Sequence, residues 1–126
     1  MIVRTCTPLA SVGQDAYRPA TRFTRATYPG PLPLFVLVEA VLEAELVGVP
    51  IPLDVFILDE NKNQVASSNT FYWNARSGDS TYLSYVWEVK GLQVPAPGEY
   101  LLDLYVAARQ MRSIWVHCRQ SQVDPS

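Results

Sequence analysis

The second half of the chain alternates apolar and polar residues with a period of two. In segment 81–90, one set of alternate positions is Leu83, Tyr85, Trp87 and Val89, and the other is Tyr82, Ser84, Val86 and Glu88. Successive side chains of a strand point to opposite sides, so this alternation is typical of a β-strand with one buried face. We therefore predict a strand here, with the first set facing the core.

Three further segments follow the same pattern. Their predicted inward positions are Leu53, Val55 and Ile57; Tyr100, Leu102, Leu104 and Val106; and Ile114, Val116 and Cys118, with Trp115 and His117 on the opposite side. A short connection at 109–111 predicts a hairpin between the last two strands. The polar turn 59–63 predicts a second hairpin that returns into 64–68.

Segment Leu34–Val47 fits two structures. Alternate positions from Leu34 to Leu46 are apolar, as in a strand, but a helix would also gather an apolar stripe and could end at Gly48. The LFVLV opening and the absence of an N-cap residue favour the strand. We predict a strand at least as far as Ala40.

Clusters of proline and glycine separate these segments, at 29–33, 50–52, 77–79 and 94–99. This spacing predicts an all-β fold, an antiparallel immunoglobulin-like β-sandwich of about seven or eight strands with room for one short helix. The predicted core is Leu34, Val36, Val55, Ile57, Leu83, Trp87, Leu102, Leu104, Ile114 and Val116.

The order of the strand-entry patterns resembles one family of small bacterial immunoglobulin-like sandwich domains of unknown function. The resemblance covers roughly residues 30–118 and rests on PGPLPLFVLV, PLDVFILDENKNQV, PGEYLLDLYV and SIWVHC. It implies the sandwich fold and carries no activity or functional residue with it.

Length and composition indicate one globular domain. The chain has 126 residues, 48% of them hydrophobic and 17% charged, so 1–126 is expected to form a single β-sandwich with an Arg-containing segment at 1–30 and a polar tail at 119–126. Net charge is −2, which argues against nucleic acid or an anionic membrane as partner. Locally, 1–30 is basic and 31–60 is acidic, with no lysine or arginine in the latter.

The sequence predicts a soluble cytoplasmic protein. The N-terminus lacks the apolar core of a signal peptide, and the longest apolar stretch carries Glu39, Glu43 and Glu45. The two cysteines, Cys6 and Cys118, are far apart in the chain and are expected to be reduced and buried. No metal or cofactor is predicted, because one histidine and two distant cysteines match no zinc pattern.

Candidate catalytic groups are few. His117 and Cys118 are neighbours on a predicted strand, so their side chains should diverge. Pairing of His117 with Cys6 stays open. The carboxylate pairs of 39–45 and 59–60 lack the facing arrangement that a glycosidase needs, and 59–63 lacks the pattern of an EF-hand. We predict no catalytic residue and no enzyme.

An aromatic cluster at 71–87 is the one compositional oddity, with members Phe71, Tyr72, Trp73, Tyr82, Tyr85 and Trp87. Treated as a hairpin with Arg76 opposite Thr81, it places Tyr72 opposite Tyr85 on a core-like face. Trp73 and Tyr82 then share an exposed face flanked by Arg76 and Asp79. Packing in the core is the alternative for all these aromatic residues.

We therefore predict a non-enzymatic interaction or assembly module. It would act by self-association along a sheet edge or through a patch of Trp73, Tyr82, Arg76 and Asp79, with a protein partner or a homo-oligomer as the result. A small-ligand or carbohydrate-binding sandwich is the alternative, and an enzyme is a distant third.

Overall fold

The strands account for most of the chain in the computed structural model, which describes residues 2–11, 17–25, 27–41, 48–74 and 82–120. In these ranges every regular element is a strand, so the all-β class is confirmed. In chain order the strands are β1 (Ile2–Ser11), β2 (Tyr17–Pro19), β3 (Arg22–Arg25), β4 (Gly30–Pro31), β5 (Phe35–Val41), β6 (Pro50–Leu58), β7 (Gln64–Ser67), β8 (Phe71–Asn74), β9 (Tyr82–Glu88), β10 (Gln93–Val94), β11 (Gly98–Val106) and β12 (Arg109–Gln120).

Two main sheets share one core. The four-stranded sheet has the order β2-β1-β5-β9. The six-stranded sheet has the order β3-β12-β11-β6-β7, and β8 also pairs with β6. β4 and β10 form a small separate ribbon. Inward side chains from both main sheets join a single hydrophobic cluster, for example Val36 and Val38 from β5 with Val55 and Ile57 from β6.

The predicted alternation is confirmed in the strands that build this core. Buried and partly exposed positions alternate along β5 and along β6 after Pro50. The predicted core residues that are buried are Leu34, Val36, Val55, Ile57, Trp87, Leu102, Leu104 and Val116. Ile114 is half-buried and packs against the core, and the side chain of Leu83 lies outside the described part. The strand at Leu34–Val47 is confirmed as far as Val41, and 42–47 lie outside the described residues.

Both predicted hairpins are present, and the N-terminal segment contributes strands of its own. β6 pairs with β7 across the 59–63 turn, and β11 pairs with β12, although the second turn lies at 107–108 and not at the predicted 109–111. Within 1–30, β1 lies antiparallel to β5, whereas β3 lies parallel to β12. A purely antiparallel sandwich was predicted. The parallel pair departs from it because most of the chain separates β3 from β12, so no hairpin turn dictates their relative direction. The immunoglobulin-like arrangement stays a prediction.

The β11–β12 hairpin turns on two alanines in an unusual backbone conformation. Ala107 and Ala108 have φ of 53° and 62°, and Val106 pairs with Arg109. Positive φ at both central residues is the geometry of a type I′ turn, which asparagine and glycine adopt more easily than alanine.

Replacing the pair by Asn-Gly (Ala107→Asn with Ala108→Gly) is therefore expected to raise the free energy of unfolding by about 1 kcal/mol. Urea denaturation of the double variant and the wild type measures the difference. Ala107→Val serves as the control, because a β-branched residue at positive φ should lower stability. A double variant that is less stable than the wild type would contradict this description of the turn.

Candidate functional site

Four members of the aromatic cluster pack together between the two sheets, and the cluster does not form the predicted hairpin; the four are Phe71, Trp73, Tyr85 and Trp87. β8 pairs with β6, so Tyr72 lies opposite Pro52, and β9 pairs with β5, so Tyr85 lies opposite Val38. The chain changes sheets between β8 and β9. The rings of these two strands therefore meet face to face across the core instead of side by side within one sheet.

Trp73 is buried, which corrects the prediction of an exposed indole. It is 8% exposed and stacks on Tyr85 with ring centroids 5.5 Å apart. Phe71 stacks on Tyr85 and on Trp87, with ring centroids 5.8 Å and 6.3 Å apart. Tyr72, which lies between Phe71 and Trp73 in the chain, is 62% exposed. The predicted faces of β8 were thus inverted, because their assignment rested on a hairpin register that the chain does not adopt.

The other members of the predicted patch give it no support. Arg76 and Asp79 lie outside the described residues, and Tyr82 begins β9 but its side chain lies outside the described part. With Trp73 in the core, the stacking platform on which the carbohydrate-binding alternative depended is not available in the predicted form.

The candidate catalytic groups are dispersed. His117 is half-exposed, with its Nδ1 3.5 Å from Glu99 Oε1, whereas Cys118 is buried on the opposite side of β12. The predicted divergence of the two side chains is therefore confirmed. Asp59 Oδ1 accepts hydrogen bonds from the backbone N–H groups of Asn61 and Asn63, both at 2.9 Å, which fits a polar turn. Among the described residues, no three His, Cys, Asp or Glu side chains come together as metal ligands would.

Both cysteines are free and buried, as predicted. Burial raises the pKa of Cys6 from 9.0 to about 11, although the nearby Arg112 guanidinium acts in the opposite direction. Burial likewise raises the pKa of Cys118 to about 11. Both thiols are therefore neutral at physiological pH, and neither has the lowered pKa of a reactive cysteine.

A surface cavity on the outer face of the six-stranded sheet is lined by charged, aromatic and polar side chains. It measures about 310 Å³ and is lined by Thr21, Arg22, Glu99, Trp115, Val116, His117 and Arg119. His117 lies at its centre, because the register places Arg22 of β3 and Glu99 of β11 on either side of it. Trp115 is 47% exposed, in contrast to the buried Trp73 and Trp87. We refer to this feature as the Trp115 cavity.

The alternation along β12 predicted that Trp115 and His117 lie on one side of the strand, but it did not predict the cavity. The missing residues come from β3 and β11, and β3 is distant in sequence from β12. The feature that could have indicated a site is a tryptophan and a histidine on the outward face of one strand. The parallel β3–β12 pair adds the charge of Arg22, which lies opposite His117.

A second accessible feature is the outer edge of β9. This strand pairs with β5 on one side, and no strand in the described ranges pairs with it on the other. Ser84, Val86 and Glu88 are exposed along it. A sheet edge is thus available for backbone pairing, which is the kind of surface the sequence analysis proposed.

Comparisons with known proteins identify no family for this chain. No family model matches the chain, and no curated protein matches it. A solved structure, the Pseudomonas fluorescens alkylpurine DNA glycosylase AlkC bound to DNA containing an abasic site analog, is similar with a TM-score of 0.43 and 10% identity. The similarity covers 94% of this chain but only 30% of the glycosylase chain.

The exclusion of nucleic acid as a partner is corrected by this finding, since a protein that the chain is similar to holds DNA. The similarity is too slight to identify a DNA-binding residue here.

The described part of the chain contains no helix with the length and apolar character that crossing a membrane requires.

Proposed function

We propose that this chain is a non-enzymatic interaction module that self-associates through the free edge of β9. The observation that carries the proposal is the seven-residue strand Tyr82–Glu88, which among the described strands has a partner on one side only. Unpaired edge strands present rows of backbone donors and acceptors to other chains. The occupant we propose is β9 of a second copy, lying antiparallel to the first.

The pattern of backbone hydrogen bonds along β9 supports pairing at this edge. Val89 N–H donates to Leu34 O at 3.0 Å, which sets the alternation of the β5–β9 ladder. In an antiparallel pair, alternate residues bond to the neighbour and the others direct their N–H and C=O groups away from it. The outward groups therefore belong to Ser84, Val86 and Glu88.

Charge does not oppose this pairing. Lysines and other charges on an edge strand commonly prevent association. Here Lys90 Nζ lies 2.9 Å from Glu88 Oε1, so the two charges at this end of the edge neutralise each other. The middle of the edge is Val86, an exposed β-branched residue with a high preference for strands.

A two-fold axis through Val86 gives a self-complementary register. Val86 then lies opposite Val86 of the second copy, and Ser84 lies opposite Glu88. No like charges meet in this arrangement, and the four-stranded sheet continues across both copies. One strand pair buries less area than a standard interface, so we expect a concentration-dependent dimer.

The test is the solution mass over a range of concentrations, by light scattering coupled to size exclusion. The wild type is expected to approach twice the 14.1 kDa of one chain as concentration rises. Val86→Pro should remain a monomer, because proline removes an outward donor without removing a β5–β9 hydrogen bond.

Val86→Thr is the matched control, since it keeps both the backbone donor and the β-branched shape, and it should dimerise as the wild type does. Circular dichroism of each variant checks that the fold is retained. A wild type that stays monomeric up to its solubility limit overturns the proposal, and so does a folded Val86→Pro variant that still dimerises.

A further inference from the structure

We propose that the Trp115 cavity binds an organic phosphate that carries a flat ring, with a nucleotide as the simplest member of that class. The inference is separate from self-association, because the cavity lies on the outer face of the six-stranded sheet and β9 is the edge of the other sheet. It rests on the side chains that converge there, their charges and their exposure.

The sheet register fixes the layout of the cavity. Across the strands, Arg22, His117 and Glu99 form one row. Along β12, Trp115 and Arg119 lie two residues before and two residues after His117, on the same face. The backbone N–H of His117 donates to Thr21 O at 2.7 Å, which holds β3 against this part of β12. All the lining residues except Thr21 therefore lie on strands.

The indole of Trp115 provides the surface for a ring. It is about half-exposed, while the other two tryptophans of the chain are in the core. Stacking of a base or another flat ring on an exposed aromatic side chain strengthens binding and needs no specific hydrogen bond. A volume of about 310 Å³ suits a small ring-bearing ligand.

The charges around His117 favour an anionic group next to that ring. Arg22 and Arg119 contribute two guanidinium groups against the single carboxylate of Glu99, although the whole chain is net negative. Neither guanidinium has a hydrogen bond or ion pair to another described residue, so both are available to a ligand. Guanidinium groups bind phosphate oxygens with two parallel hydrogen bonds, which makes phosphate the best match.

Glu99 adds selectivity within this class. Its carboxylate faces the cavity beside His117 and can only accept hydrogen bonds when ionised. It therefore fits a ligand that also offers donors, such as the hydroxyl groups of a sugar or a ring amine. A ligand with a ring, a sugar and a phosphate would engage Trp115, Glu99 and the arginines together.

Calorimetric titration with adenosine monophosphate, adenosine and inorganic phosphate tests the proposal. Adenosine monophosphate is expected to bind and to quench the fluorescence of Trp115, and each of the other two probes should bind at least about tenfold more weakly. Trp115→Ala and Arg22→Gln should each weaken binding of adenosine monophosphate about tenfold. Arg109→Gln, a change in an exposed arginine at the other end of β12, should leave it unchanged.

A single-stranded oligoadenylate distinguishes a free nucleotide from a nucleic-acid strand as the source of the ligand. Much tighter binding of the strand, lost in Trp115→Ala, assigns the cavity to nucleic acid, and equal or weaker binding assigns it to free nucleotides. The proposal is overturned if adenosine monophosphate does not bind at millimolar concentration. It is also overturned if Trp115→Ala or Arg22→Gln binds it as the wild type does.

Discussion

Trp87→Ala is expected to lower the free energy of unfolding by about 3–5 kcal/mol, and Trp73→Ala by a similar amount. Both indoles are buried, and their rings lie in one stack that joins the two sheets through Phe71 and Tyr85. Truncating either side chain removes apolar contacts and leaves a cavity that the surrounding strands can only partly fill. Urea denaturation of each variant measures the loss.

Tyr72 offers the matched control for this prediction. It is adjacent to Trp73 in β8 but is 62% exposed, so Tyr72→Ala should cost less than about 1 kcal/mol. A small loss at Trp73 together with a large loss at Tyr72 would contradict the observed faces of β8 and restore the hairpin that the sequence predicted.

Stability is expected to fall steeply as pH rises from 9 to about 11. Burial raises the pKa of Cys6 and Cys118 from 9.0 to about 11, so the folded chain keeps both thiol protons over a range in which the unfolded chain releases them. The stability that the two protonated thiols contribute is fully present below pH 9 and is lost as pH approaches 11. The loss is at most about 3 kcal/mol per thiol. The pKa values of Tyr28 and Tyr100 are also raised by burial, which adds to the effect at higher pH.

The double variant Cys6→Ala with Cys118→Ala separates the thiols from the tyrosines. Chemical denaturation at a series of pH values should show a shallower decline for this variant between about pH 8.5 and 9.5, below the ordinary tyrosine pKa of 10.0, where Tyr28 and Tyr100 keep most of their protons in both states. Equal slopes for the variant and the wild type in that interval would show that the thiols do not carry the effect.

The predictable part of this fold is local. Alternation along β6, β9, β11 and β12 identified each strand and its buried face, because a period of two is a property of one strand alone. The faces of β8 were predicted wrongly for the complementary reason. The faces of β8 depended on which strand it pairs with. The short connection between β8 and β9 favoured a hairpin of these two strands. In the structure β8 pairs with β6 instead, and its rings stack on those of β9 across the core.

For the candidate site, too, the sequence predicted the direction of individual side chains but not which strands lie side by side. The outward direction of Trp115 and His117 followed from alternation, but their approach to Arg22 depends on a strand pair that spans nearly the whole chain. The segment 1–30 has mixed proline, threonine and arginine with little alternation, so its strands were not anticipated. Pairing with β5 and β12 compensates for that weak local preference.

The parallel contact between β3 and β12 also has a consequence for how the protein is made. On the ribosome, Arg22–Arg25 emerge long before the segment that completes their ladder, His117–Gln120. Contacts between residues so distant in sequence are slow to form, because a large loop must close before they contribute. The six-stranded sheet can therefore be completed only after His117–Gln120 have left the ribosome, and until then β3 lacks the strand it pairs with and stays accessible to other nascent chains.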